Sequence, residues 1–165
     1  MLIIGLTGSM GTGKSTLADC IHQNLRWPIW DADAQVKKLY EQPNITREIS
    51  AALPDVLDGD GNFRYSHLRK LVSENAAAVY CLENILHPAL ADHRRHFIQS
   101  MGRVGQKVVV LDIPLLFEKG IDSQCDLTVV TSCPEWLQEQ RILARQGMTP
   151  ELMHTLLSKH YSQEE

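Results

Sequence analysis

Nine consecutive residues, Gly8-Ser9-Met10-Gly11-Thr12-Gly13-Lys14-Ser15-Thr16, put one ammonium group and two hydroxyls directly after a glycine-rich turn. Glycine adopts torsions closed to other residues, so successive main-chain N–H groups can turn inward around an anion. The spacing satisfies GxxxxGK[ST] at every fixed position, with an apolar run before it and a helical pattern after it. The chemistry this suits is the grip of a nucleoside triphosphate. Gly8, Gly11, Thr12 and Gly13 would cradle the phosphates through the main chain, and Lys14 would reach the β- and γ-phosphates as both a binding and a catalytic group. Ser15 would ligate Mg²⁺, with Thr16 beside it on the α-phosphate. A helix beginning near Lys14 adds its positive N-terminal end.

Three further groups could act on a phosphate held there. Asp31-Ala32-Asp33 follows a second apolar run, Trp27–Trp30. At the carboxyl end of a parallel strand a carboxylate faces the ligand crevice, where it can take a proton from an attacking hydroxyl. Asp33 capping a helix that starts at Ala34 is the alternative. Val108-Val109-Val110-Leu111-Asp112 has the form of a strand delivering an acid to a metal-bound phosphate. Asp112 would hold Mg²⁺ directly or through water, or else be a strand-end acid held by loop N–H groups. Arg141 and Arg145 stand four apart on one face of the helix expected over Trp136–Gln146. They would neutralise charge in the transfer, or pair with Glu139 and solvent.

Positioning these groups takes a parallel sheet with helices on its faces. Leu2–Thr7, Trp27–Trp30, Lys107–Leu111 and Leu127–Thr131 read as buried strands. Ser15–Leu25, Ala34–Tyr40, Ser66–Ser73, Ala76–Ser100, Trp136–Gln146 and Pro150–Tyr161 have helical spacing. Gln42-Pro43-Asn44 reads as a stop after the second helix, and Asp58-Gly59-Asp60-Gly61 as a turn within Pro54–Asn62. Pro88 should open a new helix or kink a long one. The helical block between Val36 and Gln106 has no strand to give the sheet.

The 165 residues, 44% of them apolar, suit one domain with a subdomain inserted. A net charge of −4 offers no basic excess for nucleic acid. The apolar start, Met1–Leu6, has no basic flank and is too short for a signal peptide or membrane span. The four cysteines, Cys20, Cys81, Cys125 and Cys133, form no CxxC pair, which favours buried free thiols in a reducing cytoplasm. The Asn-Lys-x-Asp segment by which GTPases read their base is absent. A short chain with a helical insertion after the second strand suits a small-molecule kinase.

Read together, the phosphate loop, Asp31-Ala32-Asp33, Ile85-Leu86-His87-Pro88 and Asp112-Ile113-Pro114-Leu115-Leu116-Phe117-Glu118 resemble dephospho-CoA kinases over essentially all 165 residues. The Arg141-x-x-x-Arg145 pair before Gly147-Met148-Thr149 resembles that family's entry into its lid. The resemblance implies an α/β fold, a three-layer P-loop NTPase with a parallel sheet and an inserted helical substrate-binding subdomain. It places the core in residues 1–35 and 106–147, the CoA-binding insertion in about 36–105 and a partial lid in about 146–165.

The implied activity is ATP-dependent, Mg²⁺-assisted phosphorylation of the ribose 3′-hydroxyl of dephospho-CoA in the cytoplasm. Asp33 becomes the general base and Arg141 sits near the nucleotide with Arg145. Asp31, Lys37, His87, Pro114 and Leu115 fall on the acceptor side, unless His87 is simply a buried residue at a helix start. A nucleoside or nucleotide kinase, or a non-catalytic nucleotide-binding module, is the alternative.

The sequence departs from the family at Ser9, where a glycine is frequent. It departs also at Lys37, which keeps an arginine's charge without its fork. At Tyr65 a frequent arginine is replaced, with Arg64 and Arg69 close enough to substitute. The family also continues past Ser162-Gln163-Glu164-Glu165 into the rest of its lid, a fifth strand and a last helix. The expectation is therefore a truncated or degenerate chain with an open sheet edge and reduced activity.

Overall fold

A computed structural model describes residues 1–158. Four strands form one sheet: β1 (Leu2–Thr7), β2 (Ile29–Asp31), β3 (Val108–Asp112) and β4 (Leu127–Val130). Their order is β2-β3-β1-β4, and every pairing is parallel. The two central strands are continuous apolar runs because helices cover both faces of such a sheet. Val109, Val110, Leu111 and Leu6 are fully buried. The strands at the two ends of this order, β2 and β4, are short, and Leu127 and Val130 of β4 stay exposed.

Register brings the carboxyl ends of the strands together. Asp31 of β2 pairs with Asp112 of β3, Asp112 with Leu6 of β1, and Thr7 with Val130 of β4. The loop leaving β1 therefore opens at the same sheet edge as two carboxylates. Helix α1 (Lys14–Leu25) follows it and buries Ala18 against Ile4, Leu6 and Val110, with Leu17 and Ile21 alongside.

The chain divides into two compact units. One comprises Met1–Ala32 and the chain from Ile98 on; the other is Asp33–Phe97. The helical unit holds α2 (Ala32–Leu39) from its second residue, α3 (Pro43–Ala52), a 3-10 turn at Pro54–Val56, α4 (Tyr65–Glu74) and most of α5 (Ala76–Arg103). Its own core is Leu39, Ile45, Ile49, Val56, Leu68 and Leu86. Before α4, Asp58 accepts N–H bonds from Asp60 at 3.0 Å and Asn62 at 2.8 Å, and pairs with Arg64. The Asn62 N–H, more than any other group, holds the Asp58 carboxyl below its usual range, with Arg64 and Asp60 adding to it. Tyr40 packs edge-on to Tyr65 with ring centroids 5.2 Å apart. Burial first, and the neighbouring Tyr65 second, push its hydroxyl up to about 12.

In the sheet unit α6 (Glu135–Leu143) and α7 (Pro150–Leu157) follow β4. The Thr149 hydroxyl caps α7 by accepting from the Leu152 N–H at 3.2 Å. The expected extension of that helix to Tyr161 lies outside the described residues.

Several expectations are corrected. Gln42-Pro43-Asn44 does more than stop α2: Pro43 opens α3, because a first-turn proline loses no intrahelical bond. Pro88 opens no new helix: it lies inside the long helix α5, the other of its two expected places, and the 28 residues of α5 run through it. Cys20 is exposed on α1 and Cys81, Cys125 and Cys133 are only half-buried, because the buried positions around them fall to Ala18, Ala78 and Leu116. Helix α6 ends at Leu143, so Arg145 lies in the following turn instead of on a shared helix face with Arg141. That turn closes through the Met148 N–H to the Arg145 carbonyl at 3.1 Å, and Gly147 adopts φ 79°.

Candidate phosphate-binding site

The loop after β1 has the backbone its glycines allow. Gly8, Gly11 and Gly13 take φ of 151°, 86° and 102°. Space and torsion both exclude side chains. A Cβ on Gly8 would lie 2.1 Å from Thr131 Oγ1, and one on Gly11 would lie 2.9 Å from Ile142 Cγ1. Gly13 precedes α1 and has no side chain to cap it, so the first-turn N–H groups face outward from a positive helix end. Ser15 and Thr16 are exposed in that first turn.

Thr12 is buried and locks the loop's chain reversal. Its hydroxyl donates to the Ser9 carbonyl at 2.7 Å and meets Thr131 Oγ1 at 2.8 Å, while its N–H donates to the same Ser9 carbonyl at 3.3 Å. Lys14 Nζ pairs with Asp112 Oδ1, and their side chains are 14% and 6% exposed. The pair holds both charges in place, since the buried carboxylate alone would carry an unmet desolvation cost.

From α6, Arg141 Nη1 donates to the Gly11 carbonyl at 3.2 Å, and Gln138 Nε2 donates to the Met10 carbonyl at 2.8 Å. Cys133 Sγ lies 3.8 Å from the Gly11 carbonyl as a weak donor. Thr7 Oγ1 donates to the Pro114 carbonyl at 3.1 Å and so ties the segment after β3 to the strand that feeds the loop.

The structure thus gathers Gly8 to Thr16, Asp112, Pro114 and Arg141 around one loop, and register puts Asp31 at the same sheet edge. Leu115 follows, half-buried, and Arg145 is exposed beyond α6. Asp33, Lys37 and His87 belong to the helical unit, each exposed. Asp33 lies inside the first turn of α2 instead of capping it, since that helix starts one residue earlier; an acid there suits the helix dipole. His87 is not the buried histidine of a helix start but an exposed residue within α5. Of the arginines near Tyr65, Arg64 pairs with Asp58, while Arg69 lies over the Tyr65 ring, 5.8 Å from its centroid. Arg69 and Tyr65 line a cleft of about 470 Å³ with Ser66 and Lys70.

Sequence reasoning did not find Thr131, Cys133 or Gln138. Thr131 meets the Thr12 hydroxyl and Cys133 and Gln138 meet the loop's own carbonyls, and neither spacing nor charge marks that. The only hint was that Gln138 stands three residues before Arg141.

The donor set suits Mg²⁺. That ion takes one or two carboxylates and completes its shell with phosphate oxygens and water. Asp112 and the Ser15 hydroxyl beside the loop are such a set, and no cluster of three or more His, Cys, Asp or Glu fit for a metal occurs among the described residues. Nor is any described helix long and apolar enough to cross a membrane.

This architecture has close counterparts. The crystal structure of a Thermus thermophilus protein superposes with a TM-score of 0.82 at 30% identity, over 99% of this chain and 82% of that one. A dephospho-CoA kinase from Campylobacter jejuni shares the fold with a TM-score of 0.61 at 21% identity, over 95% of this chain and 78% of that one. In sequence the chain is 42% identical over 160 residues to a dephospho-CoA kinase of Rhodopseudomonas palustris, covering 96% of this chain and 78% of the relative. It is equally similar, 42% over 160 residues, to one of Paramagnetospirillum magneticum, covering 96% of this chain and 74% of the relative. A model of the dephospho-CoA kinase family matches residues 2–165, the phosphate loop and all four strands included, and the chain belongs to that family.

Proposed function

We propose that this protein transfers the γ-phosphoryl group of ATP to the ribose 3′-hydroxyl of dephospho-CoA, giving coenzyme A and ADP, the last step of coenzyme A synthesis. The observation that carries this reading is the glycine loop with its part-buried Lys14–Asp112 pair, in a chain of the dephospho-CoA kinase family. The bond from the ribose O3′ to the γ-phosphorus forms as the bond from that phosphorus to the β,γ-bridging oxygen breaks. Asp33 takes the hydroxyl proton. Loop N–H groups and Lys14 hold the β- and γ-phosphates, and Arg141, already against the Gly11 carbonyl, supplies positive charge beside them. Mg²⁺, held by Ser15 and Asp112, would neutralise charge on the phosphate oxygens.

The helical insertion, about residues 36–105, takes the acceptor in this reading. Lys37 and His87 of the helical unit and Asp31, Pro114 and Leu115 of the sheet unit are the acceptor-binding residues, and Arg69 supplies the charge that Tyr65 lacks. Arg145 binds the nucleotide, and the segment that begins at about residue 146 contributes to a lid. The reaction's substrates are small molecules, and the cytoplasm is the compartment that holds them.

The test is a coupled ADP-release assay run across dephospho-CoA, nucleosides and nucleoside monophosphates, with the product identified by mass. ADP release that depends on dephospho-CoA and yields coenzyme A supports the reading. Release with a nucleoside or nucleotide instead, or with no acceptor at all, overturns it.

A further inference from the structure

The Gln138 side chain is 6% exposed, and its Nε2 donates to the Met10 carbonyl at 2.8 Å. It stands three residues before Arg141 on α6, so the two project from neighbouring positions of one helix face. They meet consecutive carbonyls of the phosphate loop, those of Met10 and Gly11. In a planar trans peptide the carbonyl and the following N–H point in opposite directions. Holding the Met10 carbonyl toward α6 therefore turns the Gly11 N–H away from α6. The same helix packs closely against Gly11 itself. A Cβ on Gly11 would lie 2.9 Å from Ile142 Cγ1, 3.1 Å from the Gln138 main-chain oxygen and 3.3 Å from Gln138 Cγ.

We propose that Gln138 is a positioning residue for the nucleotide: it fixes the Met10–Gly11 peptide so that the Gly11 N–H is presented to a phosphate oxygen of ATP. An arginine at Gln138 would bring a second charge; a glutamine brings direction alone. A neutral amide donor also leaves the field at the phosphates to Lys14 and Arg141. The proposal rests on the reading of Gly8 to Thr16 as the ATP loop, and it adds a residue that never touches the nucleotide.

Two substitutions separate donation from packing. Gln138→Met keeps the length and burial but has no donor. Gln138→Glu keeps the shape and faces the Met10 carbonyl with an acceptor. Calorimetric titration with ATP should give about tenfold weaker binding for Gln138→Met, and the KM for ATP should rise in step while that for dephospho-CoA holds. Gln138→Glu should bind more weakly still at neutral pH. Its affinity relative to wild type should recover as pH falls, because a protonated carboxyl regains an O–H donor. Gln138→Met should show no such recovery, and Gln140→Met, on the exposed side of α6, should match wild type.

A wild type that binds no ATP sinks the ATP-loop reading on which the proposal rests. A wild type that binds ATP beside a Gln138→Met that binds it equally well overturns the proposal alone. Should Gln138→Met fail to fold, Gln138→Glu decides: acid recovery supports the donor role, and its absence contradicts it.

Discussion

Asp33 and Lys14 carry opposite burdens in the proposed reaction, and single substitutions can separate them. Lys14 is held by Asp112 at the head of the sheet, whereas Asp33 is an exposed acid in the first turn of α2. Asp33→Asn keeps the shape and removes the base. It should lower kcat by about 10²–10⁴-fold while the dissociation constant for ATP stays put, checked by steady-state kinetics beside calorimetry. Unchanged kcat would remove Asp33 from the chemistry. At this scale the sequence was most legible where a residue's own chemistry is the message: the loop glycines, Lys14 and Asp112 could be read from type and spacing. Thr131, Cys133 and Gln138 could not, because each acts by meeting an atom more than a hundred positions away, a hydroxyl for Thr131 and main-chain carbonyls for Cys133 and Gln138, and only the folded chain creates such pairings.

Elements were legible where hydrophobic period and punctuation agreed. The four strands and α1 follow their apolar runs closely, and the parallel pairing of β1, β2 and β3 follows from the helical stretches between them, whereas β3 and β4 are joined through only a 3-10 turn at Asp122–Gln124. Helix α3 was hidden because a proline reads as a stop and as a first-turn residue alike; Ile45 and Ile49, four apart and buried, were the signal that decides it. The same unit holds a phenol that tests its packing. Burial and the neighbouring Tyr65 keep Tyr40 protonated to about 12, above its ordinary 10.0. The native state then holds a proton that the unfolded chain releases, so this stabilisation is complete below pH 10 and is lost as pH rises through about 12. Tyr40→Phe should remove a tyrosine titrating at about 12 from an ultraviolet absorbance titration and flatten the fall in thermal midpoint across that window. A titration curve identical to wild type would mean that Tyr40 is not held in this packing.

The whole molecule comprises two units, each with its own buried cluster, and the proposed function divides between them: phosphate chemistry on the sheet and acceptor recognition in the helices. That division predicts separable defects. Arg69→Glu, in the helical unit, should raise the KM for dephospho-CoA by about tenfold and leave the KM for ATP unchanged, as expected for loss of a charged contact to an anionic acceptor. An equal rise in both would contradict the division. The insertion could be seen in the sequence as a stretch without strands. Its boundaries could not, because α5 runs unbroken from Ala76 to Arg103 past the point where one unit gives way to the other.

The central claim is that the loop at Gly8 to Thr16 grips ATP for transfer to dephospho-CoA. Lys14→Met tests it most directly, measured as coenzyme A formed from ATP and dephospho-CoA alongside ATP affinity. The expected result is a loss of turnover of at least about 10²-fold with weakened ATP binding, since the γ-phosphate loses its ammonium partner. Coenzyme A formed at the wild-type rate by Lys14→Met, with unchanged ATP affinity, would contradict the account.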